Sequence, residues 1–218
     1  MRAADSRTYL ADVVGLLDKA WPDNRTVNLV AHGHSVPAGY FETPMVDTFN
    51  AYPHLLHRRL KQRFPKAVLN MIVTAIGGEN SIRGAERFQR DVLSLRPDVV
   101  FIDYALNDRG LSLEQAHQAW AQMIQHALGG GVKIILLTPT LDKRAILADP
   151  LDPLNQHADQ VRQLAAQFGV GLADSSQASQ AAVRAGTKID NLMSHVNHPN
   201  RQGHELVVSE LWKWFELK

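Results

Sequence analysis

"TVNLVAHGHSVPAGY", residues 26–40, passes in one step from an apolar, β-branched run into a short loop of Gly, His and Ser. A strand that is apolar at nearly every position suits a parallel sheet covered on both faces. The loop at its end sets Ser35 beside His34, with His32 and Gly33 just before it. A serine there serves as a turn or helix-capping residue or as a nucleophile. The rest of the chain has to separate the two.

The strand-then-helix pattern recurs. Apolar runs at 26–31, 67–73, 98–104 and 133–139 are each followed by a helical pattern, at 49–64, 84–95, 112–128 and 154–168. The run at 170–175 precedes a short helix, a loop and a final helix starting at about Pro199. Leu113, Ala116, Trp120, Met123 and Ala127 share one helix face, as do Val207, Leu211, Trp214 and Phe215. Residues 1–21 read as a further amphipathic helix. This alternation predicts a single α/β domain over 1–218, a three-layer α/β/α sandwich on a five-stranded parallel sheet. The longest irregular stretch, 140–154, carries Pro150 and Pro153 and reads as a surface loop over a site.

Composition removes several classes. The chain has no cysteine, which excludes disulfides, thiolate metal sites and a cysteine nucleophile. With a net charge of +1 and no basic stripe, nothing points to nucleic acid. No apolar run has the length of a membrane span, and the first residues lack the apolar core of a signal peptide. The expectation is a cytoplasmic protein with a small-molecule partner and no membrane partner; oligomeric state has no signature here.

In open parallel sheets, ligands bind beyond the carboxyl ends of the strands. The loops there are "GHSVPAGY", "TAIGGENS" and "ALNDRG", with "SHVNHPNRQGH" before the last helix. Together they offer a hydroxyl, an imidazole, a Gly amide and a side-chain amide, the parts required for acyl transfer.

These blocks resemble, in order, those of the SGNH hydrolases, the GDSL-type esterases and lipases. Gly33-His34-Ser35 with Gly39 is similar to the family's Gly-Asp-Ser-x-x-x-Gly. Gly78 in "AIGGEN" aligns with its second-block Gly, Ala105-Leu106-Asn107-Asp108 with Gly-x-Asn-Asp, and His195-Val196-Asn197-His198-Pro199 with Asp-x-x-His-Pro. The resemblance covers residues 33–204. It implies a flavodoxin-like sandwich and ester hydrolysis without a cofactor. It makes Ser35 the nucleophile and His198 the general base, with Asn107 and the amides of Gly78 and Ser35 as oxyanion donors. His198, just before Pro199, suits the first turn of the final helix. The superfamily includes carbohydrate deacetylases, lipases and thioesterases. With no extended greasy lid, a small acyl group such as acetate, carried on a sugar, is favoured. Residues 36–45 and 140–154 are the expected pocket walls.

The chain also departs from the family. His34 replaces the Asp before the nucleophile, Ala105 replaces a Gly, and His195 stands where the acid that orients the base is expected. Losing that acid in a serine-protease triad costs roughly 10⁴-fold. Three arrangements would account for it: a Ser35–His198 dyad oriented by a backbone carbonyl, a carboxylate from elsewhere with Asp190 nearest in sequence, or an inactive relative. His195 and His34 remain candidates for orienting the base or touching substrate. Two other readings compete with the serine esterase. One is a metal-dependent hydrolase using His32, His34, His195 and His198; the other is a carbohydrate- or lipid-binding relative without catalysis.

Overall fold

The computed structural model describes residues 2–216. Five strands form one parallel sheet: β1 (Thr26–Gly33), β2 (Val68–Val73), β3 (Val99–Asp103), β4 (Lys133–Leu137) and β5 (Gly171–Ala173), in the order β2-β1-β3-β4-β5. Because successive side chains point to opposite faces, the runs of the central strands feed two cores. Leu29, Ala31, Val99, Phe101, Ile135 and Leu137 pack toward α1 (Ala11–Leu17), α3 (Tyr52–Arg63) and α8 (Arg201–Trp212). Val30, Val100, Ile102, Ile134 and Leu136 pack toward α4 (Ser81–Asp91), α5 (Leu113–Gly129) and α6 (Pro153–Phe168). The result is the three-layer sandwich expected from the sequence. A four-residue helix, α2 (Ser35–Ala38), follows β1, and α7 (Ser175–Arg184) follows β5.

Local chemistry sets the boundaries. Helix α5 opens on a capping box, with the Ser112 and Gln115 side chains each bonded to the other's backbone N–H. Helix α8 begins two residues later than the sequence suggests. The Asn200 side chain accepts the Gly203 N–H at 3.1 Å, so Asn200 caps the helix and Pro199 stays outside it, bridged to Met193. The N-terminal helix is also shorter than 1–21, covering only Ala11–Leu17. No helix among the described residues is long and apolar enough to cross a membrane.

One close approach matters for the site. A Cβ on Gly33 would lie 2.3 Å from the Asp103 carbonyl oxygen. Only glycine lets the end of β1 lie this close to β3 before the chain turns into α2.

Candidate active site

The loops beyond β1, β2 and β3 are stitched together at the carboxyl edge of the sheet. The Ile76 N–H donates to the Gly33 carbonyl at 3.0 Å, and the Asn107 amide donates to the Glu79 carbonyl at 2.8 Å. Asn107 spends one of its two N–H groups there. Asp108, fully buried, takes the Ser81 N–H at 2.8 Å and the Trp120 indole N–H at 2.7 Å. It therefore closes the start of α4 and anchors α5. Burial raises its pKa, opposed by these two donors. Asp108 is thus a structural tie, which a simple turn at the end of β3 would not have provided.

Ser35 is the first residue of α2, with His34 as the cap: His34 Nδ1 accepts the Val36 N–H at 3.2 Å. Among the described residues, no acceptor meets the backbone N–H of Ser35 or of Gly78. Gly78 sits in the turn after β2 at φ +78°, a left-handed conformation that glycine adopts without strain, and no atom lies within 4 Å of where a Cβ would stand. The turn thus leaves the Gly78 amide without a protein acceptor among the described residues.

His198 arrives from the loop before α8. It lies ahead of the helix, and its rigidity comes from the loop itself. Its carbonyl accepts the Ser194 N–H at 3.0 Å and the Ser194 hydroxyl at 3.2 Å. The imidazole Nε2 is 2.9 Å from Ser35 Oγ, and Nδ1 is 2.8 Å from the backbone carbonyl of Phe41. A carbonyl can only accept, so the proton sits on Nδ1 and Nε2 presents its lone pair to the serine hydroxyl. Burial lowers the His198 pKa; the Phe41 carbonyl works against this, and the nearby His34 and His195 add to it. Ser35 and His198 are each 7% exposed, sheltered yet open to a small ligand.

Of the arrangements open from the sequence, the geometry matches the backbone carbonyl. Asp190 is not the orienting acid: it is exposed, and it pairs with Lys143 Nζ at 2.6 Å. His195 does not orient the base either. It is exposed, with its ring centroid 6.0 Å from that of His198, whose Nδ1 is already engaged. His34 caps α2, and its Nε2 faces Asp103 at 3.4 Å without hydrogen-bond alignment.

The four-histidine metal arrangement does not form. His32 points to the α4 side, where Nδ1 meets the Thr74 hydroxyl at 2.9 Å and Nε2 meets the Gly84 carbonyl at 3.2 Å and the Tyr104 hydroxyl at 3.1 Å. Both of its ring nitrogens are spent. His34 lies beyond the close approach at Gly33, against Asp103. Among the described residues, no three His, Asp or Glu side chains gather as a ligand set.

Sequence reasoning did not single out the Phe41 carbonyl, the tie made by Asp108, or a buried cluster behind His32. In that cluster Glu79 pairs with Arg87 and accepts the Tyr104 hydroxyl at 2.9 Å. The buried Trp120 indole, which requires an acceptor, was the available signal for Asp108.

A model of the GDSL-like Lipase/Acylhydrolase family matches residues 31–206. The chain belongs to this family. As a GDSL-like acylhydrolase it is a carboxylic ester hydrolase, and its solved structural neighbours have the same fold. A catalytic mutant of Axe2, an acetylxylan esterase from Geobacillus stearothermophilus, superposes with a TM-score of 0.74 at 19% identity, covering 88% of this chain and 95% of that one. LAE5, an alpha/beta hydrolase enzyme from the metagenome of Lake Arreo, Spain, gives 0.77 at 22% identity, covering 93% and 99%. A two-domain esterase active on acetylated mannans gives 0.74 at 20% identity; the match covers 98% of this chain and 53% of that larger protein. No curated protein matches by sequence.

Proposed function

We propose that this GDSL-like hydrolase removes small acyl groups, acetyl in particular, from carbohydrate esters through an acyl-serine intermediate. The observation that carries the mechanism is the line Phe41 C=O···Nδ1–His198–Nε2···Ser35 Oγ, with contacts of 2.8 and 2.9 Å. His198 takes the Ser35 proton as Oγ attacks the ester carbonyl. The oxyanion forms near the free amides of Ser35 and Gly78 and the unspent N–H of Asn107, donors that stabilise charge only as it develops. The imidazolium, held by the Phe41 carbonyl, protonates the leaving alcohol; the neutral ring then activates water to release the acid and restore Ser35. Two structural neighbours described as acting on acetylated xylan and acetylated mannan support the acetyl-carbohydrate reading.

The test is hydrolysis of p-nitrophenyl acetate, butyrate and octanoate, and acetate release from acetylated xylo- and manno-oligosaccharides, by wild type and Ser35→Ala, with and without a chelator. The expected result is serine-dependent, chelator-insensitive turnover that declines with acyl length and includes the saccharides. Turnover that survives Ser35→Ala, or that the chelator abolishes, removes the mechanism. A preference for octanoate removes the acetyl assignment.

A further inference from the structure

A cleft of about 530 Å³ opens directly beside Asn107. Its polar walls are Asn107, Arg109, Arg144, Asp152 and Asn197. Asn197 immediately precedes the proposed base, and Arg144 comes from the long loop at 140–154. That loop is fastened to the histidine loop, since the Lys143 N–H donates to the Val196 carbonyl at 2.8 Å. The cleft therefore reaches the proposed reaction centre at Asn107, one of the proposed oxyanion donors, and at Asn197, the residue before His198, and it is far larger than an acetyl group needs.

The two arginines are held by one buried carboxylate. Asp142 is 0% exposed and accepts from Arg144 through the backbone N–H at 2.8 Å, Nε at 3.0 Å and a terminal nitrogen at 2.7 Å. A terminal nitrogen of Arg109 reaches the same carboxylate at 2.8 Å, while Arg109 Nε donates to the Leu106 carbonyl at 2.7 Å. Burial alone would raise the Asp142 pKa; Arg144 and Arg109 override it and hold the carboxyl below its ordinary value.

This arrangement exceeds what a loop staple requires. One guanidinium would satisfy Asp142, and a second with its side chain 65% exposed adds little stability. Each guanidinium nevertheless keeps one terminal nitrogen unspent among the described residues, as does the Asn197 side-chain amide. Asp142 fixes the two guanidinium donors in place.

We infer that this cleft is the leaving-group subsite, in which Arg144, Arg109 and Asn197 bind the hydroxyls of a neutral sugar. The inference rests on the acetyl-carbohydrate reading. A planar guanidinium presents paired donors to adjacent hydroxyl oxygens, and the Asn197 amide both donates and accepts, as a hydroxyl does. A carboxylate ligand would leave that acceptor unmet and would face Asp152 on the rim. Each hydrogen bond to a charged donor strengthens binding by about 10- to 100-fold.

The experiment compares kcat/KM on acetylated neutral and uronate-bearing xylo-oligosaccharides with kcat/KM on p-nitrophenyl acetate, for wild type, Arg144→Ala and Asn197→Ala. Arg144 is largely exposed, so its replacement tests binding with little effect on the fold. The saccharide-to-nitrophenyl ratio is expected to fall at least about tenfold in Arg144→Ala, mainly through KM on the saccharide, and in the same direction in Asn197→Ala. An unchanged ratio while wild type hydrolyses both substrates overturns the subsite and leaves the acetyl-carbohydrate reading standing. A ratio that falls only for a uronate-bearing saccharide overturns the hydroxyl assignment. Wild type that hydrolyses p-nitrophenyl acetate but no acetylated saccharide overturns both.

Discussion

His198 Nδ1 lies 2.8 Å from the Phe41 carbonyl oxygen, at the place where a triad enzyme holds a carboxylate. The carbonyl fixes the tautomer, which is the part of the acid's role that geometry can supply. It brings no negative charge to balance the imidazolium. His195→Asp would put a carboxylate on an exposed loop position beside a ring whose Nδ1 is already engaged. We predict that it changes kcat by no more than roughly fivefold, the worth of an exposed ion pair. His198→Ala is predicted to lower kcat by at least about 10²- to 10⁴-fold. Steady-state kinetics on p-nitrophenyl acetate decide both; a His195→Asp loss as deep as that of His198→Ala would give His195 a catalytic part.

The pH profile follows from the buried base. Burial lowers the His198 pKa, and the base works in its neutral form, whose fraction grows as pH rises. The acid limb of kcat/KM is therefore predicted to have its midpoint below the ordinary histidine value of about 6.5. A midpoint above that value would mean that stabilisation of the imidazolium outweighs burial at the site and would overturn this prediction.

Stability should weaken in acid for a related reason. Burial, helped by Arg87, pushes the His32 pKa down to about 4, and burial, helped by His198, pushes that of His204 down to about 3. In the unfolded chain both titrate near about 6.5. Between those limits the unfolded state binds protons the native state refuses. Stability from these groups is thus complete above the unfolded value and is lost as pH falls, by about 1.4 kcal/mol per pH unit for each histidine. The urea midpoint is predicted to drop between about pH 7.5 and pH 5. A His32→Gln variant that still folds should show a shallower drop, and an equal drop would take His32 out of the account.

Gly78 and Asn107 should separate in their effects. Asn107→Ala is predicted to cost about 10²- to 10³-fold in kcat. Gly78→Ala meets no clash, but φ +78° costs a β-carbon roughly 1–2 kcal/mol. Its turn should relax and swing the amide away, lowering kcat and the melting temperature together. Wild-type kcat in Gly78→Ala would exclude that amide from the reaction.

Asp108, by contrast, should matter to folding. Asp108→Ala strands the Ser81 N–H and the Trp120 indole N–H, and each buried donor left without an acceptor costs about 1–3 kcal/mol. Chemical denaturation should register that loss; a stable variant with lost turnover would place the carboxylate in the chemistry.

The central strands were legible because each must be apolar on both faces, a demand that writes itself into runs such as residues 98–104, whereas the edge strand β2 alternates buried Leu69 and Met71 with exposed Val68 and Asn70. Ser35 and His198 were legible as candidates because a nucleophile and a base need particular side chains, and the structure brings those two within 2.9 Å. The histidine ligand set was a false reading of spacing. Two residues apart means the same face only while the strand continues, and the chain leaves β1 at Gly33. His32 is satisfied by Thr74, Gly84 and Tyr104 from three separate segments, a convergence that no local pattern encodes. The Arg109–Asp142–Arg144 link was hidden in the same way, since its members come from two different loops.

A group contributed by the main chain is written in no codon. Replacing Phe41 with any other amino acid leaves its carbonyl in the polymer, so an alanine scan of this protein would report the lost stacking of the Phe41 ring on His204 and not the carbonyl's part in the proposed relay. Only a change in the path of the chain, such as an insertion or deletion between residues 39 and 46 or the backbone ester of a hydroxy-acid analogue, would reach it. For anyone engineering this scaffold, that loop is to be treated as a fixed-length part, with Gly39 kept for its positive φ of +93° and its close approach to Thr48, and Phe41 kept for its stacking on His204.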